Sequence, residues 1–185
     1  ERDLFGGYRL RLSETSALTT FADHSVSFGI SGRILPKLNG TVRVGYQVRN
    51  ELKGGSDVFK GYNATASVTW NVTRKLNVRG SISKDFNTTS TNVTTDSLSG
   101  NLDAQYARTA KLTFGTGVSG GINKFLGDLG GGREDIFFSY YGMVRYTFSE
   151  RLRVGLNYTF YQNWSTLAFA DFERESLTFD ASTRF

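Results

Sequence analysis

Strict two-residue alternation of apolar and polar side chains, sustained over long runs and broken only by turns, restricts this chain more than any other feature. In Thr41–Arg49, Val42, Val44, Tyr46 and Val48 share one face, and Arg43, Gly45, Gln47 and Arg49 the other. In Tyr62–Val72 the row Tyr62, Ala64, Ala66, Val68, Trp70 and Val72 opposes Asn63, Thr65, Ser67, Thr69 and Asn71. Leu152, Val154, Leu156, Tyr158 and Phe160 oppose Arg153, Gly155, Asn157, Thr159 and Tyr161. Successive side chains point to opposite faces only in a β-strand, so the pattern predicts strands rather than helices. Ten are expected, at approximately 3–17, 24–35, 39–52, 60–72, 76–90, 94–108, 112–126, 134–149, 152–167 and 172–185. Most exceed the roughly five or six residues of an ordinary soluble strand. They reach the about 9–11 residues that a tilted, bilayer-spanning strand needs.

The connections sort into two sets. Short turns are expected at Pro36–Leu38, Thr73–Lys75, Arg108–Lys111 and Ser149–Arg151. The other connections fall near Thr19–Asp23, Lys53–Lys60, Thr91–Val93, Gly127–Glu134 and Ala168–Asp171, and several are longer. Short turns on one side and longer loops on the other is the arrangement of outer-membrane barrels. Both termini then fall on the short-turn, periplasmic side. No leader is visible at Glu1, so either a signal segment is already gone or the chain is an internal piece of a longer one.

A soluble β-sandwich also alternates, and three features weigh against it. The apolar face runs through nearly all ten segments, leaving no strand blunted by charge or proline as sheet edges are. The opposite face is rich in Ser, Thr, Asn, Gly and Arg, and poor in a Lys/Glu mixture. Aromatics gather near strand ends: Trp70, Tyr106, Tyr146, Phe148 and Phe185 on the short-turn side, and Phe59, Tyr62, Phe86, Phe125, Phe138 and Phe160 toward the loops. Barrels carry such girdles at both interfaces. A mean hydropathy of −0.32 does not conflict, because alternation averages a lipid face against a wet one. The expected fold is therefore all-β: an antiparallel up-and-down transmembrane barrel over residues 1–185, either complete with about ten strands or the C-terminal part of a wider one. The expected location is the bacterial outer membrane.

Alternation also assigns the inward charges. Arg9, Arg11, Arg33, Arg43, Arg49, Arg79, Arg145, Arg153 and Arg184 should line the lumen, with Asp85, Asp103 and Asp180 as the inward acids. Arginine-lined pores favour anions. Two readings stay open: an anion-tolerant passage, or a small barrel plugged by its own side chains, with arginines paired to those acids. Other chemistry has little footing. His24, beside Asp23 at an expected loop edge, is the one histidine, and a rim-sited hydrolase or acyltransferase would have to use it. With no cysteine and no histidine cluster, transition-metal sites are unsupported, and a calcium role for Asp128 and Glu134 has only a weak basis, so no metal or other cofactor is expected. The Gly-rich run Gly115, Gly117, Gly120 and Gly121 sits on a strand, so it points to close packing rather than phosphate binding. Gly127–Gly132 reads as an outer loop. Arginines spread singly over strands do not make a nucleic-acid footprint.

Leu38–Arg49, Val68–Leu76 followed by Arg79-Gly80-Ser81, Gly132-Arg133-Glu134-Asp135 before an aromatic strand, the turn Glu150-Arg151-Leu152 and Asn157–Phe160 together resemble the beta-barrel porin 2 type of outer-membrane porin associated with bacterial exopolysaccharide gene clusters. The resemblance covers most of the chain and rests on structural motifs. It implies an outer-membrane porin that takes part in polysaccharide export or secretion, with saccharide and envelope secretion proteins as partners. It carries over no catalytic residue. Members are usually longer, which favours a wider barrel with an open lumen. The terminal Phe185, on an alternating last strand, resembles the signal read by the bacterial barrel-insertion machinery. The leading expectation is a channel for an anionic saccharide or exopolysaccharide; the alternative is a plugged structural barrel that anchors a surface polymer or a partner protein.

Overall fold

The computed structural model describes residues 2–14, 20–53, 58–88, 94–126, 132–149 and 151–183. It contains ten strands: β1 (Arg2–Glu14), β2 (Thr20–Leu35), β3 (Leu38–Lys53), β4 (Val58–Trp70), β5 (Leu76–Thr88), β6 (Thr94–Ala107), β7 (Leu112–Leu126), β8 (Glu134–Thr147), β9 (Leu152–Ser165) and β10 (Phe172–Thr183). They form one sheet in chain order, each strand antiparallel to the next, and among the described residues β1 and β10 are its two edges. A 3-10 turn at Ala168–Ala170 joins β9 to β10. All ten expected strands are present. The largest shift at an observed start is in β2, which begins at Thr20. Asp23 is therefore a strand residue rather than part of a loop, and His24 lies four residues inside β2 rather than at its edge. Arg184, Phe185 and most of the Gly127–Gly132 stretch lie outside the described residues.

The short-turn side is built by a repeated device. Thr73 Oγ1 accepts hydrogen bonds from the Lys75 and Leu76 amides at 3.1 and 2.9 Å. Thr109 Oγ1 does the same for Lys111 and Leu112 at 3.2 and 3.0 Å, and Ser149 Oγ for Arg151 and Leu152 at 3.3 and 3.2 Å. Each hydroxyl satisfies two amides that a tight reversal leaves without ladder partners, and each turn then launches a strand that opens on leucine. Lysines stitch one turn to the next: Lys37 Nζ donates to the Val72 carbonyl and Lys75 Nζ to the Arg108 carbonyl, both at 3.2 Å.

Burial runs the opposite way from a soluble fold. Among the described residues the buried polar side chains are Asp23, Ser25, Gln47, Arg49, Thr95, Asp135 and Asn163, while Phe21 and Ala22 are the buried apolar ones. Large apolar groups in the middle of paired strands are open: Val44 is 55%, Ile82 62% and Leu102 53% exposed. The register puts the polar set on one face and the apolar set on the other, and the polar face is the one whose side chains converge. Soluble monomers rarely expose a contiguous apolar surface of this extent. A sheet that is concave and polar inside, and apolar outside, is at equilibrium only where the outer medium is hydrocarbon.

The outer face sets its own limits. Lys84 pairs with Asp96 at 3.0 Å and Lys124 with Glu134 at 3.2 Å, each pair near the loop-side ends of its strands. Between those ends and the turns the outer row is uncharged, as in Leu38–Val48 of β3 and Ile136–Tyr146 of β8. Runs of this length match the roughly 9–11 residues of a membrane-crossing strand.

Candidate functional site

The concave face is a large polar surface that the sheet gathers from many strands, and cross-strand register builds it. Opposed residues in an antiparallel pair project to the same side, so Arg9, Ser25, Gln47 and Gly61 form one row and Phe5, Gly29, Arg43 and Thr65 another. On β5 to β7 the same face carries hydroxyls and carboxamides in hydrogen-bonded ladders, Ser83 with Ser99 at 3.1 Å and Ser97 with Asn123 at 2.8 Å.

Three clusters stand out. Near the loop ends of β1–β3, Asp23 is held between two arginines: Arg49 donates through Nε and Nη2, and Arg11 through Nε at 3.0 Å. Arg49 and Asp23 are almost fully buried, and Arg49 stacks over Phe21 with its guanidinium carbon 5.7 Å from the ring centre. A charge pair this deep is sustained by bidentate geometry and the second arginine. On the opposite wall, Tyr141 donates to Asp103 at 2.8 Å, and Asn101 to the same carboxylate at 2.7 Å. Tyr141 lies where a side chain on Gly117 would be, so the Gly-rich strand serves close packing, as its pattern suggested. At the loop end of β8 and β9, Asp135 accepts from Arg133 and from Ser165 at 2.6 Å. The Asp135 hydrogen bond also raises the affinity of Arg133, which precedes β8, for its proton.

An aromatic track follows beside this last cluster. Phe137, Tyr161 and Phe172 come from three adjacent strands and stack nearly parallel, with centroids 6.0 and 5.4 Å apart, and Arg174 lies 5.8 Å from the Tyr161 ring centre.

The sequence-derived residues fall as follows. Arg9, Arg11, Arg33, Arg43, Arg49, Arg79, Arg145 and Arg153 all share the concave face with Asp85, Asp103 and Asp180. Arg11 and Arg49 are paired, but to Asp23. Among the described residues none of the others forms an ion pair, and Asp103 is taken by Tyr141 and Asn101. The sequence reading missed Asp3, Asp23, Asp135 and Arg174, which register places on the same face. Extending the parity of β2 outward by one residue would have found Asp23, and the parity of the expected strands already covered Asp3, Asp135 and Arg174. Trp70, Tyr106, Tyr146 and Phe148 lie on the outer, short-turn side, with Tyr146 and Phe148 packed edge to face at 4.7 Å. Phe125 does not belong to the loop-side girdle: it pairs with Thr95 on the concave face, under the Arg133 guanidinium at 4.6 Å.

His24 lies away from the concave face. It projects from the outer face of β2, between Leu10 and Val48, and its Nδ1 shares a 2.7 Å hydrogen bond with the Tyr8 hydroxyl. Asp23 points to the other side of the sheet. The adjacent acid and histidine therefore form no catalytic pair. Among the described residues no three acids or histidines converge on a metal position.

Comparison with known proteins agrees with this geometry. The family model described as Putative beta-barrel porin 2 matches residues 24–185. A solved structure, titled NanC porin structure in rhombohedral crystal form, is similar over 100% of this chain and 96% of its own, with a TM-score of 0.50 and 11% identity. At that identity the likeness concerns the fold. No curated protein matches.

Proposed function

Because the chain belongs to the Putative beta-barrel porin 2 family, we propose that it acts as an outer-membrane, porin-like channel with a polar, net basic lumen that passes or exports an anionic saccharide or exopolysaccharide. The observation that carries the reading is the inverted burial: side chains that bind water and solutes converge, and those that bind lipid face out. The concave face is the lumen wall. Its arginines, Arg174 included, outnumber its aspartates, and several have no carboxylate partner among the described residues. Uncommitted guanidinium groups on a pore wall attract anions and give them bidentate partners. The resemblance to porins of exopolysaccharide clusters supplies the saccharide part of the proposal.

Purified protein in planar bilayers tests it. Open-channel conductance with anion selectivity is the expected result, and Arg43→Glu together with Arg79→Glu should move the reversal potential toward cations. Absence of conductance would replace the channel by a plugged barrel that anchors a polymer or a partner. Conductance with unchanged selectivity would remove the basic lumen.

A further inference from the structure

The concave wall holds a hollow of about 330 Å³ between β1 and β5, lined by Phe5, Gly7, Arg9, Ser25, Ser27, Arg43, Asn63, Thr65 and Asp85 among others. None of the three clusters described above fills it. Across it runs the cross-strand row Gly7, Ser27, Gly45, Asn63, of which Gly7, Ser27 and Asn63 line it. Arg9 and Ser25 stand one row toward the loops, and Arg43 and Thr65 one row toward the turns.

Gly7 opens the hollow, and Gly45 seats the carboxamide at its side. A Cβ on Gly7 would meet nothing nearer than Ser27 Oγ at 3.9 Å, so that position is open space. At Gly45 the Asn63 carboxamide already occupies the room, leaving no place for a side chain. Asn63 is in turn oriented by Gln47 and Ser25, to which its Nδ2 donates at 3.4 and 3.5 Å. The two arginines are differently placed from Arg11 and Arg49. Neither Arg9 nor Arg43 has an ion pair among the described residues; Arg43 rests on the Phe5 ring at 5.1 Å, which holds its plane while leaving its donors available.

We propose that this hollow is a binding site on the channel wall for a uronate unit, a hexose that carries one carboxylate. The inference deepens the channel reading and rests on it for the site's place on a solute path. The carboxylate takes donors from Arg9 and Arg43, and the ring hydroxyls take the Ser25, Ser27, Thr65 and Asn63 groups. Asp85 decides the class. A carboxylate in the same hollow repels a multiply charged anion such as phosphate, yet accepts a hydrogen bond from a sugar hydroxyl. One negative charge on a hydroxyl-rich body satisfies all of these groups together. The volume lies at the lower end of the roughly 300–1,000 Å³ of small-molecule sites.

Binding of D-glucuronate to the purified protein in detergent, followed by saturation-transfer NMR and calorimetry, tests the site without requiring conductance. Glucuronate should bind, with glucose and inorganic phosphate each at least about tenfold weaker, the size of one lost charge-assisted hydrogen bond. Arg9→Gln and Arg43→Gln should each weaken glucuronate by roughly tenfold, and Arg43→Lys should recover part of the loss. Gly7→Gln, which keeps both arginines and fills open space, should abolish binding while the far-ultraviolet spectrum of the barrel stays unchanged. Equal binding of glucose, tighter binding of phosphate, or indifference to Gly7→Gln would overturn the proposal. A conducting pore that binds no glucuronate removes the site and leaves the channel. Glucuronate binding by a protein that does not conduct keeps the site and removes the channel.

Discussion

At the scale of single residues, the Asp23 cluster is where removal of a few atoms has the largest expected cost. Arg49 is 2% and Asp23 3% exposed, so Asp23→Ala strands a buried guanidinium. Breaking one side of a buried pair costs about 3–5 kcal/mol, and the second arginine's proximity puts this case at the upper end. Denaturant titration of the refolded protein in lipid vesicles should show the loss, and the double variant Asp23→Leu/Arg49→Met should recover most of it. A change under about 0.5 kcal/mol for Asp23→Ala would mean that the cluster is hydrated and contributes nothing. Much of this face was legible in the sequence, because alternation tells which side of a strand a residue occupies without reference to any contact. Arg43 and Arg49 needed only the alternating row Val42, Val44, Tyr46 and Val48. Asp23 escaped because Thr20, Ala22 and His24 form a weakly apolar outer row, so the pattern faded there while the hydrogen-bonded ladder continued to Thr20. What alternation could not supply is pairing: that Arg11 and Arg49 share Asp23, and that Arg9 and Arg43 share a hollow, depends on register across three or more strands.

At the scale of elements, the strands are defined by what faces outward and by how the turns close. The strand starts at Leu76, Leu112 and Leu152 fall on the expected residues, and Thr73, Thr109 and Ser149 precede them as hydroxyls at one fixed offset. Replacing Thr109 with alanine removes the acceptor for two amides and should lower stability by about 1 kcal/mol, whereas Thr109→Ser should be neutral; thermal unfolding in detergent separates them. The outer faces make a sharper prediction. Val44 stands midway along the uncharged run of β3, 55% exposed. In water, Val44→Arg at so open a position would be almost without effect. In a bilayer it should cost about 2–4 kcal/mol, while the same change at Tyr62, nearer the loop-side limit, should cost about 0–1 kcal/mol. A depth profile of this kind, measured in vesicles, is the signature of lipid on that face, and a flat profile would contradict it.

At the scale of the whole molecule, the two sheet edges decide what the assembly must be. β1 and β10 each offer an unpaired ladder along their length, and β10 is exposed at every described position. An open strand edge in hydrocarbon leaves amides and carbonyls with no partner, at several kcal/mol for each group, so no membrane-inserted state keeps such an edge. The amides of both edge strands should therefore resist hydrogen exchange in vesicles as strongly as those of β5 or β6, and rapid exchange along either edge would refute insertion of this sheet as it stands. Direct closure is geometrically consistent: ten antiparallel strands bring the edges together antiparallel, Leu10 and Leu12 face outward on β1, and Leu177 and Phe179 face outward on β10. The chain has no cysteine, so introduced pairs report without background. Cysteines at Leu10 or Leu12 combined with Leu177 or Phe179 should yield an intramolecular disulfide for at least one combination, since bridged cysteines need Cα atoms within about 7 Å. Protected edges with no disulfide in any combination would instead require further strands between β1 and β10. The lumen would then be wider, and the wall that carries Arg9 and Arg43 would face open water rather than the opposite side of a narrow pore.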